Sequence, residues 1–242
     1  MCGFVGFLGG IGLEYNAGNT LLKKMTFPIS RRGPDNEGYW YDPDARIGLG
    51  HRRLSIIDLS QAGRQPMHSP SGRFVIAFNG EIYNYLELRD ELQREGVEFK
   101  TDSDTEVLLG ILMQYGEKAL TKLNGMFAFV FHDRKQNQWI VARDPFGIKP
   151  LYYIQVGDQL IFASEIKAIL AHPDVPARRN DKALHQYLAF QLSLDDQTLF
   201  GGINKVMPGH YFLGVGHEIK QKKCLLGYNI RDKFKPQRRL FA

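Results

Sequence analysis

The chain has 242 residues, 43% of them hydrophobic and 24% charged, a composition that can bury a core and excludes a wholly disordered polypeptide. No apolar run approaches the ~20 residues that span a bilayer, and the opening Met1-Cys-Gly-Phe-Val-Gly-Phe-Leu8 lacks the basic region of a secretory signal, so the sequence predicts a cytoplasmic protein without membrane contact. The net charge of +5 does not mark a nucleic-acid binder: from Lys220 onward eight Lys and Arg stand against one acid, a balance of +7, and the 23 basic and 25 acidic residues before it come to −2.

Apolar runs bounded by Gly, Pro and Asp predict strands at Gly3 to Leu8, Glu37 to Tyr41, Ile47 to Arg53, Phe74 to Asn79, Met126 to Phe131, Gln138 to Arg143, Leu151 to Val156 and Leu160 to Ala163. Helical periodicity covers Asn19 to Thr26, Tyr85 to Glu95, Thr105 to Tyr115, Glu165 to Ala171 and Asp181 to Phe190, several opened by Asp, Ser or Asn. Met126 to Phe131 and Gln138 to Arg143 are close enough for a hairpin, as are Leu151 to Val156 and Leu160 to Ala163 across Gly157-Asp158. Such antiparallel sheets pack most simply against each other with helices over their outer faces, an α+β layered sandwich. Cys2 and Cys224 are too few and too far apart for a disulfide framework, and no His or Cys pair has zinc spacing, so no metal is expected.

Four constellations carry candidate chemistry. In Met1-Cys2-Gly3 a small second residue favours removal of Met1, after which Cys2 would join a thiol to its own α-amine, a base with a reference pKa of about 7.7 to 8.0. A chance cysteine in a frayed terminus is the competing reading, opposed by the buried strand that starts at Gly3. The strand Gly50-His-Arg-Arg-Leu-Ser-Ile-Ile-Asp58 carries Arg53 into an apolar run, where it could grip a carboxylate or form a structural ion pair. Asn79-Gly80 could be a type I′ turn, but the helical pattern from Tyr85 predicts a strand-to-helix corner whose side-chain and backbone N–H groups form an oxyanion hole. Thr101-Asp-Ser-Asp-Thr-Glu106 opens a helix that Asp102 or Ser103 would cap, leaving surplus carboxylates for a substrate ammonium. An α-amino acid with a scissile carbonyl on its side chain would use all four.

Cys2-Gly3, Arg32-Gly-Pro-Asp35, Arg53-Leu-Ser-Ile-Ile-Asp58, Asn79-Gly-Glu-Ile-Tyr-Asn84, Ser103-Asp-Thr-Glu106, Gly125-Met-Phe-Ala-Phe129, Arg143-Asp-Pro-Phe-Gly-Ile-Lys-Pro-Leu-Tyr-Tyr153 and Ala163-Ser-Glu-Ile-Lys-Ala168 together resemble the class II glutamine amidotransferase domain. Within that class the sequence is similar to glutamine-hydrolysing asparagine synthetase, over Met1 to about Tyr211. The resemblance implies the N-terminal nucleophile hydrolase fold, a four-layer αββα sandwich of two mainly antiparallel sheets. It implies that Cys2 attacks the glutamine side-chain carbonyl while Asn79 and Gly80 hold the oxyanion. It also implies that Arg53 binds the α-carboxylate, that Glu81 and Asp104 face the α-amino group, and that the backbone of Leu54, Ser55, Ile56 and Ile57 lines the pocket. Arg31 stands where the family often has His, a change in a loop near the pocket.

The same resemblance sets expectations for the rest of the chain. A glutaminase domain spans residues 2 to 215, and residues 216 to 242 form a basic tail, disordered or out of frame, since Cys224-Leu-Leu-Gly-Tyr-Asn-Ile230 departs from the family's Tyr-Trp-acid continuation. The Ser-Gly-Gly-Leu-Asp-Ser segment of the synthetase domain is absent, so no cofactor is expected in this chain; ATP and Mg2+ would belong to that missing domain. Glutamine is the expected substrate, with a synthetase partner in trans and a homodimer as further expectations. A non-catalytic glutamine-binding or interaction remnant is the alternative to catalysis.

Overall fold

The computed structural model describes residues 1–10, 12–55 and 63–225. Its strands are β1 (Gly3–Leu8), β2 (Asn36–Asp42), β3 (Ile47–Arg53), β4 (Met67–His68), β5 (Phe74–Ile82), β6 (Gly125–Asp133), β7 (Gln138–Arg143), β8 (Tyr152–Val156), β9 (Gln159–Ala163), β10 (Asn204–Lys205), β11 (His210–Val215) and β12 (Glu218–Cys224). Its α-helices are α1 (Tyr15–Thr26), α2 (Tyr85–Arg94), α3 (Asp104–Tyr115), α4 (Ile166–Ile169) and α5 (Asp181–Phe190).

The strands form two six-stranded sheets, ordered β10-β8-β9-β1-β3-β2 and β12-β11-β7-β6-β5-β4, with every strand pair antiparallel. Because side chains alternate along a strand, each central strand feeds two cores. Phe4 and Leu8 of β1, Val75 and Ala77 of β5, and Ala128 and Val130 of β6 pack between the sheets, with Trp139 and Phe162. The intervening residues turn outward: Val5 and Phe7 meet Leu22, Met25 and Ile169 beneath α1 and α4, whereas Ile76, Phe127 and Phe129 meet Leu88, Leu92 and Leu108 beneath α2 and α3. The four-layer αββα sandwich follows, and it explains why these strands are continuously apolar.

Several boundaries differ from the sequence reading for local reasons. β5 runs through Asn79 and Gly80 to Ile82, paired with β6 down to Ile82 and Gly125, so Asn79-Gly80 lies within a strand rather than at a corner or a turn. α1 starts four residues earlier than periodicity suggested, because Gly18 sits inside it where a Cβ would collide with the Tyr41 ring; the glycine reflects packing rather than a break. α4 is a single turn. The short strands β4 and β10 were not anticipated, and β11 and β12 extend the second sheet. β12 lies within the range expected as a tail; residues 218–224 instead pair with β11 as the edge of the sheet.

Gly6 lies in the middle of β1, between β3 and β9, where a Cβ would collide with the Phe162 ring and come within 2.7 Å of the Gly48 carbonyl oxygen. Gly6→Val is expected to lower stability by about 1–3 kcal/mol through overpacking, read as a lower urea midpoint at an unchanged m-value.

Candidate active site

The chain terminus is anchored. Gly3 pairs with Arg52 of β3, and Arg32, closing the 3-10 segment Phe27–Arg32, donates from Nε to the Cys2 carbonyl at 2.8 Å and from Nη1 to Glu165 at 2.9 Å. Gly3 makes room for this grip, since a Cβ there would lie 2.9 Å from the Arg32 side chain. The Cys2 sulfur lies 3.4 Å from the Leu54 carbonyl oxygen and accepts from the Leu54 N–H at 3.3 Å. Burial pushes the Cys2 thiol up; the Leu54 N–H and the positive charges of the chain terminus and Arg53 act the other way, and Asp104 adds to the rise.

A cavity of about 330 Å3 opens beside this sulfur, lined among others by Arg53, Leu54, Asn79, Gly80, Glu81 and Asp104. β5 supplies its floor. In an antiparallel pair, N–H and C=O of one residue point the same way and alternate along the strand. Phe127, opposite Gly80, directs its N–H and its carbonyl to Asp144 on the β7 side, so the Gly80–Phe127 pair exchanges no ladder bonds. The N–H groups of Phe78, Gly80 and Ile82 therefore all face away from β6. Gln65 Oε1 accepts from Phe78 N at 2.6 Å and Asp104 Oδ2 accepts from Ile82 N at 3.1 Å, which leaves the Gly80 N–H between them, facing the cavity. A side chain at Gly80 would collide with the Met126 carbonyl. Asn79 is 1% exposed, and its Nδ2 is buried without a hydrogen-bond partner among the described residues. Among the described residues, two N–H donors of β5, one side-chain and one backbone, thus stand unpaired beside a cysteine sulfur.

The carboxylates divide into structural and surplus groups. Ser103 caps α3 by accepting from Glu106 N at 3.3 Å, and Glu106 folds back to accept from Thr101 N at 2.7 Å. Asp102 is exposed against Arg89. Asp104 has no capping duty; it is buried at the cavity wall, and burial pushes its carboxyl up to about 6, with the Glu81 charge adding to the rise against the backbone N–H groups of Ile82 and Thr105. Arg53, 8% exposed, ends β3 with its guanidinium packed against Gly63.

Other groups position these residues without having been read from the sequence. Asp35 donates its N–H to the Arg53 carbonyl at 3.1 Å and accepts from Ser55 N at 2.8 Å, pinning the segment after β3. His51 is fully buried and its pKa is lowered to about 4, chiefly by burial, so the neutral ring uses Nε2–H to hold the Phe78 carbonyl at 2.9 Å. Asp144 and Arg143, within the Arg143 to Pro150 turn, were legible as a motif but not as its framework. Of the expected site residues, Cys2, Arg53, Leu54, Asn79, Gly80, Glu81 and Asp104 meet at one cavity; Ser55, whose N–H goes to Asp35, does not line it, and Ile56 and Ile57 lie outside the described residues. Among the described residues, no group of three or more His, Cys, Asp and Glu converges as a metal would require, and no helix is long and apolar enough to cross a membrane.

The family model described as the glutamine amidotransferase domain matches residues 1–224. The chain belongs to the glutamine amidotransferase domain family. It is 47% identical over 214 residues to asparagine synthetase [glutamine-hydrolyzing] 1 of Bacillus subtilis, covering 88% of this chain and 33% of that protein. It is 37% identical over 206 residues to the amidase chry2 of Gibberella zeae, covering 85% and 30%. The amidotransferase domain thus spans about a third of the length of the curated relatives it matches. Among solved structures, the glutamine phosphoribosylpyrophosphate amidotransferase of B. subtilis complexed with ADP and GMP superposes with a TM-score of 0.64 at 20% identity, over 93% of this chain and 49% of that one. That likeness establishes the shared N-terminal nucleophile hydrolase fold.

Asp104 couples stability to pH in a direction opposite to that of a salt-bridged acid. Its folded pKa of about 6 lies above the ordinary 3.8, so the folded state is penalised as pH rises through that window and fully so above it. Asp104→Asn is therefore expected to stabilise the amidotransferase domain at pH 7 by up to roughly 3 kcal/mol, a gain that shrinks towards pH 4. Urea melts of both proteins at the two pH values check this.

Proposed function

We propose that this domain hydrolyses glutamine to glutamate and ammonia through a Cys2 thioester, after removal of Met1. The observation that carries the proposal is the pair of unpaired donors, Asn79 Nδ2–H and Gly80 N–H, lining one cavity with the Cys2 sulfur. The freed α-amine takes the thiol proton and the sulfur attacks the side-chain carbonyl carbon of glutamine. The oxyanion that develops is received by the two donors, in a site whose low polarity strengthens both bonds. The proton then passes to the departing amide nitrogen, ammonia leaves, and a water molecule cleaves the thioester to release glutamate and restore the thiol.

Substrate orientation uses the remaining groups. Arg53 pairs with the α-carboxylate, Glu81 and Asp104 with the α-ammonium, and Leu54 lines the wall beside them. Asp104, whose carboxyl burial pushes up to about 6, takes its charged form more readily once an ammonium pairs with it. The relatives named as glutamine-hydrolysing asparagine synthetases support a further reading: the ammonia made here feeds a cytoplasmic synthetase activity that uses ATP and Mg2+, supplied in trans or by sequence beyond this domain.

Treatment with a glutamine-mimicking diazoketone is expected to add its mass to Cys2 of the Met1-free protein and not to a form that retains Met1, whose first peptide nitrogen cannot act as a base. An unmodified Cys2 in a protein that still binds glutamine would establish a non-catalytic module instead. Asn79→Ala should lower kcat about 10²- to 10³-fold with little change in KM, as for loss of one oxyanion donor. A change confined to KM would move Asn79 into substrate binding.

A further inference from the structure

Lys149 is 5% exposed, and its side chain lines the same cavity as Cys2 although the reaction steps above leave it unused. Its position is held from behind. Asp144 accepts from the backbone N–H groups of Phe146, Ile148 and Lys149 at 3.1, 2.9 and 3.0 Å, and Arg143 Nε donates to the Lys149 carbonyl at 2.7 Å. With Gly147 in the left-handed region, at φ 65°, the turn aims the lysine stem at the chain terminus. The Lys149 ammonium meets the Met1 sulfur at 3.6 Å, and among the described residues it has no carboxylate within ion-pair distance. A thioether is a weak acceptor and a poor partner for a buried ammonium.

Removal of Met1 takes that sulfur away and places a new primary amine on Cys2, within about one methionine side chain of where the sulfur had been. We propose that Lys149 is a positioning residue for the base: its fixed positive charge keeps the freed α-amine of Cys2 unprotonated, and so able to take the thiol proton, below the pH at which an ordinary chain terminus would serve. The physical basis is repulsion between like charges in a partly desolvated cavity. Other charges face the same amine. Arg53 at the end of β3 and Arg32, bonded to the Cys2 carbonyl, act in the same direction, whereas Asp104 on α3 and Glu81 on β5 oppose it until the substrate ammonium occupies them. Lys149 differs from the two arginines in having, among the described residues, no carboxylate to neutralise it, and the reading above gives it no substrate carboxylate.

The inference rests on Cys2 acting through its own amine, and the test separates the two. Glutamate release by the Met1-free chain is measured at saturating glutamine from pH 5 to 10, so that Asp104 is held charged by bound substrate and the acidic limb of kcat reports the base. The limb is expected below the 7.7 to 8.0 of an ordinary α-amine in the wild-type protein. It should move up by about one pH unit in Lys149→Met, which keeps the apolar stem, with activity recovering towards wild type at pH 9 to 10. Lys149→Arg, which keeps the charge, should leave the limb in place. A limb that stays put in Lys149→Met, or a loss of kcat equal at every pH, overturns the role of Lys149 while leaving the thioester reading intact. Absence of glutamate release from the wild-type chain at every pH would instead refute the reaction itself.

Discussion

The antiparallel register of β5 on β6 is the constraint on which the site depends. Once Asn79 pairs with Ala128 and Gly80 with Phe127, alternation of the backbone commits the N–H groups of Phe78, Gly80 and Ile82 to the edge that β6 does not use. A buried amide left without a partner is costly, and here two of the three are satisfied by side chains from outside the sheet, Gln65 and Asp104. The third, at Gly80, faces the cavity. Slipping the strand by one residue would reverse the pattern and turn carbonyls, not donors, towards Cys2.

The second sheet places the nucleophile against that edge. β1 is central in its sheet, flanked by β3 and β9, and so is held along its length. The Cys2 carbonyl, just before the strand, is taken by Arg32, which is in turn held by Glu165. His51 crosses from β3 to the Phe78 carbonyl and ties the two sheets together at the floor of the cavity. Burial raises the Cys2 and Asp104 proton affinities and suppresses that of His51, so one low-polarity region tunes three titratable groups at once. Such an arrangement works against stability at Asp104 above about pH 6, offset in part by the Ile82 N–H that its carboxylate accepts.

The membership of the cavity was largely legible. Short local patterns singled out Cys2-Gly3, Arg53 and Asn79-Gly80, the family resemblance added Leu54, Glu81 and Asp104, and the fold brings all of them to one cavity. The expected corner at Asn79-Gly80 was not found, since a glycine in a strand and a glycine in a turn look alike until a partner strand is known. β12 was hidden for a related reason. As an edge strand with Lys220, Lys222 and Lys223, it carries the charges that blunt sheet edges and also make a segment look like a solvated tail.

By itself, the sequence determined the inventory of reactive groups and the two-faced apolar strands that require a layered sandwich, because both are properties of local order along the chain. Only the tertiary structure decided which amides remain unpaired, which of Asp102, Ser103, Asp104 and Glu106 caps a helix and which waits at a cavity wall, and that Arg32 and Lys149 flank Cys2. Most of those outcomes are set by contacts between residues 13 to 148 positions apart, such as Phe78 with Gln65, Ile82 with Asp104 and Met1 with Lys149, and no periodicity or spacing along a chain encodes a partner at that range.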